Sequence, residues 1–350
     1  MCTRVCRYSS VISSGLSTIC PWAMRSSSCA SVTAAIASRP PRYDTFFART
    51  CKNACTIIIR PLSGGRQPEM RARSLLFTVY GDSIRPHGGE IGMRSLIRLM
   101  APLELSPRAV RAAVSRIARQ GWLRTRRVGR RAFYSLTPQG AWRVEQGVRR
   151  VYQVEPARWD GRWRLLTYAI PEGRRIARDR LRRELTWLGL GPLSRSTWVT
   201  PHNLTDLLRE LARAHGLDGN VAIFEAAHLG PGQDRALVER CWDLGAVGAR
   251  YRAFTAATGR RAAALHRRLR KRAISDEACF AEKILLVHEY RKFLFVDPGL
   301  PSALLPSDWP GRAAARLFRD VYQMLAGPAA RFFEAAFEPP PGRPGGVISP

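Results

Sequence analysis

Between Ser106 and Arg119 the apolar residues Val110, Ala113, Val114 and Ile117 recur at spacings of three and four. At about 100° per residue that spacing gathers them on one side of a helix. Arg108, Arg111, Ser115 and Arg119 fall within roughly 80° of one another on the opposite side. Ser106 suits the N-cap, and Pro107 suits the first helical position, where a missing N–H has no intrahelical partner to lose. Gly121 is placed to stop the helix in a left-handed conformation. The pattern then turns strand-like: Trp122 to Arg126 reads as a short strand, Val128-Gly129 as a tight turn, and Ala132 to Leu136 as the returning strand. A helix with one apolar and one basic face, followed by a hairpin, is the pattern of a recognition helix and its wing.

Upstream, Leu75, Leu76, Phe77, Val79 and Tyr80 predict a helix over Arg73 to Tyr80 that Gly81 ends. Leu96, Ile97, Leu99 and Met100 predict a second over Ile91 to Met100, with Pro102 forcing the turn into the capped helix. Thr137-Pro138 repeats the device of Ser106-Pro107 and opens a helix over Ala141 to Tyr152. These elements make residues 70–155 a winged helix-turn-helix domain. A second domain, 156–232, begins at the Asp160-Gly161 turn between Trp159 and Trp163. It runs as a strand from Trp163 to Ile170 and a basic amphipathic helix from Arg174 to Leu188, with Ala177, Leu181, Leu185 and Leu188 inward. Strands at Leu190–Leu193 and Thr197–Thr200, a helix from Leu204 to Ala214 and a strand from Val221 to Ala226 complete β-α-β-β-α-β, the ferredoxin-like order. Residues 233–338 read as helical, with helices over Arg235–Leu244, Val247–Thr258, Arg260–Ile274, Glu277–Phe295 and Ala313–Phe337. A Pro-rich corner, DPGLPSALLPSDWPG, precedes the last. The expected class is therefore α+β and multidomain, with a Pro/Gly-rich tail, 339–350, expected to be disordered.

The chain of 350 residues carries 57 Lys and Arg against 27 Asp and Glu, a formal charge of +30. Only four of those cations are Lys, a bias that a GC-rich genome produces whatever the function. The local distribution says more: between Glu104 and Glu145 there are ten Arg and no Asp or Glu. Such a segment neutralises phosphates without internal competition, and the expected partner is double-stranded DNA. The candidate contacts are Arg108, Arg111, Ser115, Arg116 and Arg119 on the helix, aimed at base edges or phosphates, and Arg126, Arg127, Arg130 and Arg131 on the wing, aimed at the backbone or minor groove. Residues 1–69 differ from the rest, being Ser- and Cys-rich and nearly acid-free, with six of the eight Cys before residue 56. They read either as an organellar transit peptide or as an over-long start preceding translation from Met70, and the second is favoured. No apolar run reaches the 18 or so residues of a membrane span, so a soluble protein is expected, and a DNA-binding repressor would be cytoplasmic.

No phosphate loop, dinucleotide fingerprint, zincin helix or nucleophile elbow occurs, and the six His are not at metal-ligand spacing, so no catalytic residue, metal or bound cofactor is expected. His288-Glu289-Tyr290-Arg291 is a polar cluster inside an apolar helix, open to a ligand-binding role or to a satisfied core hydrogen bond. His288, Tyr290 and Arg291, with Trp309, are the candidate ligand contacts.

The segments SLLFTVYGD, SPRAVRAAVSRIARQGWL with RRVGRRAFYSLTPQG, WDGRWRLLTYAIPE and LVHEYRKFLFVDPGLPSALLPSDWPG, in that order, resemble the PaaX-type repressors of phenylacetate degradation. The resemblance spans about Met70 to Phe337. It implies an N-terminal winged helix, a central domain similar to the small CRISPR-associated nuclease subunit, and a C-terminal helical domain. It also implies a homodimeric repressor released from its operator by a CoA thioester such as phenylacetyl-CoA. A nuclease reading of the central domain fails to find its metal-holding carboxylate, since the first strand ends Tyr168-Ala169-Ile170-Pro171 without Asp. The other readings are an acyl-CoA-processing enzyme with a DNA-binding appendage and an architectural DNA protein without effector.

Overall fold

The computed structural model describes residues 68–152, 158–230 and 234–341. The expected leader, except its last two residues, and the tail beyond 341 lie outside the described residues. The first helix, α1 (Pro68–Val79), does not stop at Gly81: it continues as a π-helical turn, Tyr80–Ile84, and a 3-10 turn, Arg85–His87. Gly81 serves a different purpose from the predicted stop. A Cβ there would lie 3.2 Å from methyls of both Val144 and Val148, so its absence lets a later helix pack closely. The predicted second helix loses its first turn to a strand, β1 (Glu90–Gly92), and α2 follows as Met93–Met100. Three residues are too few to show a period of two. Strand pairing fixes them, with Ile91 opposite Tyr134 and fully buried.

After a 3-10 turn, Ala101–Leu103, comes α3 (Pro107–Arg119), then the hairpin β2 (Leu123–Val128) and β3 (Arg131–Leu136), within two residues of the expected bounds. The sheet order is β1-β3-β2, all antiparallel. Next, α4 (Pro138–Tyr152) leaves directly from β3.

In the central segment β4 (Trp163–Tyr168), α5 (Arg175–Trp187), β5 (Gly191–Pro192), β6 (Thr197–Thr200), α6 (Thr205–Ala214) and β7 (Val221–Ala226) occur in the predicted order. The strands assemble antiparallel as β5-β6-β4-β7. Alternation along β4 sends Leu166 and Tyr168 to one face, against Leu181 and Leu185 of α5 and Leu208 of α6. Trp163 and Leu165 go to the other face, against Val238 and Cys241 of α7 (Asp234–Cys241) and Leu300 and Leu304 of the Pro-rich corner.

Two of the predicted C-terminal helices, Val247–Thr258 and Arg260–Ile274, are one helix, α8 (Leu244–Arg270). Gly259 does not break it: a helix-interior Gly costs about 1 kcal/mol. That is less than what burial of Tyr251 and Leu265 on either side contributes, at about 1.5–3 kcal/mol per large apolar side chain. The long helix expected from Glu277 to Phe295 begins one residue early, capped by Ser275, as α9 (Asp276–Tyr290), and tightens to 3-10 over Arg291–Phe295. The last helix is α10 (Gly311–Ala336). The core of the N-terminal segment is shared. Leu75, Leu76, Leu99, Met100 and Ile117 form one buried cluster with Phe280 and Ile284 of α9 and with Ala329 and Phe333 of α10.

Candidate nucleic-acid interface and the neighbouring cavity

Ser106 accepts the Ala109 N–H at 3.2 Å and so caps α3, while Gly121 takes φ 76° just past its end. Val110, Ala113, Val114 and Ile117 are buried under the helix. Arg108, Arg111, Ser115 and Arg119 are exposed on the other side, and among the described residues none of these three Arg has a carboxylate partner. Arg116 stands apart. It is half-buried on the flank facing Arg73, whose guanidinium is held below its ordinary pKa by burial and then by the charge of Arg116. Arg73 in turn donates to Gln120 Oε1 at 2.8 Å.

The β2–β3 hairpin divides into an anchored base and a free tip. Arg126 donates from Nε and Nη2 to the two carboxylate oxygens of Glu90, at 2.9 and 2.8 Å, and lies over the Phe133 ring. That hydrogen bonding raises its pKa and fastens β2 across the sheet to β1. Arg124 is similarly tied, donating to Ser135 Oγ at 2.8 Å. Arg127 and Arg130 are exposed and free of carboxylates. Arg131 sits 3.9 Å from Glu338, which also lies 3.8 Å from Arg94. Of the four hairpin candidates, Arg127 and Arg130 are thus exposed without a carboxylate partner, Arg131 lies near Glu338, and Arg126 is held by Glu90, a structural partner the sequence did not disclose.

A cavity of about 700 Å³ opens among α4, α8, α9, α10 and the Pro-rich corner. Part of its lining is aromatic: Tyr251 stacks on Phe293 with centroids 3.9 Å apart and planes at 7°, and Trp309 meets Tyr251 edge-on at 5.9 Å. The lining also carries the cations Arg150, Arg312, Arg316 and Arg319 and one carboxylate, Asp297. Arg150 donates to the carbonyls of Trp187 and Asp297 at 3.1 and 2.7 Å, and its burial lowers its pKa against the opposing pull of Asp297. His202, also in the lining, is held below the ordinary His pKa chiefly by burial. Of the predicted ligand contacts, Tyr290 and Trp309 line this cavity, and burial pushes the Tyr290 hydroxyl up to about 12. His288 and Arg291 do not line it. His288 Nδ1 pairs with Thr78 Oγ1 at 3.0 Å, and Arg291 donates to Ser74 O and Oγ at 2.9 and 2.6 Å, so both point at α1. Burial lowers the pKa of Arg291 to about 10. The cavity cations escaped the sequence reading because they come from elements far apart in the chain, and on each helix alone they look like a solvated face.

Beside the cavity lies a buried polar hub. The Asp82 side chain is fully inaccessible; its Oδ1 accepts from Tyr152 and Tyr322 at 2.6 and 2.9 Å, and its Oδ2 from Ser83 and Lys283 at 2.7 and 2.9 Å. Burial alone would raise the carboxyl pKa, but Lys283 and the hydroxyl donors outweigh it and hold it below the ordinary value.

No described helix is long and apolar enough to cross a membrane. Three family models match consecutive stretches: PaaX-like protein over residues 71–140, PaaX protein central Cas2-like domain over 156–238, and PaaX-like protein C-terminal domain over 242–335. A solved structure, the uncharacterized protein Rv0674 from Mycobacterium tuberculosis, aligns with a TM-score of 0.46 at 24% identity, over 76% of this chain and 98% of that one. The transcriptional repressor PaaX of Escherichia coli (strain K12) is 35% identical over 265 residues, which is 74% of this chain and 82% of the E. coli protein. The chain belongs to the PaaX family.

Proposed function

We propose that this protein is a transcriptional repressor of the PaaX type in which residues 68–152 act as a winged helix-turn-helix on double-stranded operator DNA. In this reading the central β-α-β-β-α-β segment is a ferredoxin-like domain, and the protein works in the cytoplasm as a homodimer whose two α3 helices read half-sites about one helical turn apart or a multiple of it. The observation that carries the reading is the exposed, carboxylate-free face of Arg108, Arg111, Ser115 and Arg119 on a capped helix with a cationic hairpin tip beside it. Guanidinium forks in a major groove can bond G O6 and N7 together, and the wing cations can hold phosphates.

The cavity is the proposed effector site. Its size suits a small-molecule ligand, typically about 300–1,000 Å³. Its lining suits a CoA thioester with an aryl acyl group: Tyr251, Phe293 and Trp309 for the ring, and Arg150, Arg312, Arg316 and Arg319 for the phosphates. A gel-shift titration on the DNA upstream of its own gene, at fixed salt, tests both halves. Specific binding that phenylacetyl-CoA reverses is expected. Absence of a specific complex would refute the repressor reading, and a complex indifferent to aryl-CoA would refute the effector.

A further inference from the structure

We infer that the solvent face of α8 is a second contact surface for the phosphate backbone of duplex DNA, engaging the same duplex beyond the base pairs read by α3. The inference rests on the DNA-binding reading above. Between Asp243 and Asp276 the chain has nine Lys and Arg and no Asp or Glu, a second acid-free stretch besides the one around α3. Tyr251, Phe254, Ala262, Leu265 and Leu269 form the inner edge of α8, within the clusters shared with α9 and α10. Arg252, Arg260, Arg267, Arg270 and Lys271 occupy the opposite arc, within about 100° of one another. All five are exposed, and among the described residues none has a carboxylate partner. At about 1.5 Å per residue the stripe is about 28 Å long, close to the roughly 34 Å of one turn of B-DNA.

The macrodipole accounts for cations in the last turn of a helix only. Arg260 and Arg252 stand roughly three and five turns before the end of α8. Spacings of three and four also set Arg267 against Arg270 and Lys271, and like charges so placed destabilise a helix. A one-signed stripe of this length is therefore stabilised by a polyanion laid along it. Among the described residues no Phe, Tyr or Trp side chain is exposed within it, which suits sequence-independent phosphate contact rather than base reading. Its place in the fold agrees. α9 packs against α8 on one side and against the Ala101–Leu103 turn, immediately before α3, on another. One helix thus separates the stripe from the entry to the recognition helix.

The test compares two duplexes: the operator trimmed to the base pairs whose substitution weakens binding, and the same operator with 20 or so base pairs of arbitrary sequence added at each end. The full chain and its R267Q/R270Q/K271Q variant are titrated on both across a range of salt. The wild type should show a steeper salt slope on the extended duplex. The variant should match it on the trimmed duplex and lose about 2–3 units of slope per protomer on the extended one. Replacing Arg267 and Arg270 by Lys should retain the slope, and the neutralised variant should keep the circular dichroism spectrum of the wild type and its affinity for the trimmed duplex. Equal slopes on the two duplexes for the wild type would overturn the inference while leaving the α3 reading intact. So would a variant that keeps the full slope on extended DNA but loses binding to RNA or to phosphatidylglycerol vesicles. Failure of the wild type to bind either duplex would overturn both.

Discussion

Replacing Asp82 by Ala removes the acceptor at the centre of the buried hub. The four donors that lose it are Tyr152, Tyr322, Ser83 and Lys283, and the Lys283 side chain is only 12% exposed. Removing one partner of a buried ion pair costs about 3–5 kcal/mol, because the other charge stays behind desolvated. The two tyrosines are less exacting, since a neutral hydroxyl left without a partner costs about 1–3 kcal/mol and can turn or take a water. About 4 kcal/mol is therefore expected in all, a large share of a typical 5–15 kcal/mol stability. At about 2–4 °C per kcal/mol it lowers the melting temperature by about 8–16 °C. Urea unfolding followed by circular dichroism at neutral pH measures it, and Asp82→Ala with Lys283→Met should recover more than half of the loss, since no charge is then stranded. A single-variant loss under about 1 kcal/mol, or no recovery in the double variant, would refute the reasoning. The pH dependence has a definite sign. The folded carboxyl lies below its ordinary value, so its contribution is complete above the unfolded pKa of about 3.9 and is lost as pH falls from there through the folded value.

On operator DNA at fixed salt, Arg111→Ala should cost about 1–3 kcal/mol and relax sequence preference at one position, whereas unchanged affinity in filter binding would remove it from the recognition surface. Arg130→Ala should weaken binding evenly across sequences and reduce the salt slope by about 0.9; a sequence-dependent loss would contradict its phosphate role. Arg316→Ala, at an exposed cavity position, should leave operator affinity unchanged and raise by about tenfold the phenylacetyl-CoA needed for release, equivalent to about 1.4 kcal/mol. Titration calorimetry with the ligand alone checks that the loss is in binding. Gly140→Ala should destabilise by about 1–3 kcal/mol, because its Cβ would sit 2.6 Å from the Trp122 carbonyl oxygen; thermal melting tests it.

What the sequence disclosed follows from how locally each feature is determined. The cap at Ser106, the apolar stripe of α3 and the left-handed Gly121 are set by residues within a turn or two of one another, and their positions were legible. The β-α-β-β-α-β order was legible for the same reason, since each strand is bounded by its own Pro or Gly. What failed depended on distant partners. β1 is a strand only because Ile91 finds Tyr134 across the sheet, and Gly81 is kept small by Val144 and Val148 from α4. Gly259 looked like a break because propensity is read along the chain, while the continuity of α8 comes from packing on α9 and α10. The cavity is the extreme case. Its guanidinium groups come from α4 and α10 and its rings from α8, α9 and the Pro-rich corner, so it exists only once those are assembled.

Assembly also determines what a ligand in that cavity would have to move. α4 is preceded by Thr137, whose hydroxyl donates to the Gly121 carbonyl at 2.8 Å and accepts the Gly140 N–H at 3.2 Å, so its first turn is fastened to the end of α3 and the foot of the β2–β3 hairpin. About 20 Å further along its axis the same helix supplies Arg150 to the cavity wall and Tyr152 to the Asp82 hub. One rigid element therefore joins the basic surface to the cavity, with no loop between them to absorb a displacement. Driving a two-state equilibrium from 99:1 to 1:99 needs about 5.5 kcal/mol of differential affinity. Arg150 now spends its hydrogen bonds on two carbonyls, each worth about 1.5–3 kcal/mol to a charged donor. A phosphate that takes over those donors supplies charge-assisted bonds in their place, and the carbonyls of Trp187 and Asp297 must then find other partners or move. Only the difference between the bonds lost and gained would bias such an equilibrium, so one exchange at Arg150 supplies part of it, and α4 is the element through which a ligand in the cavity would reach α3.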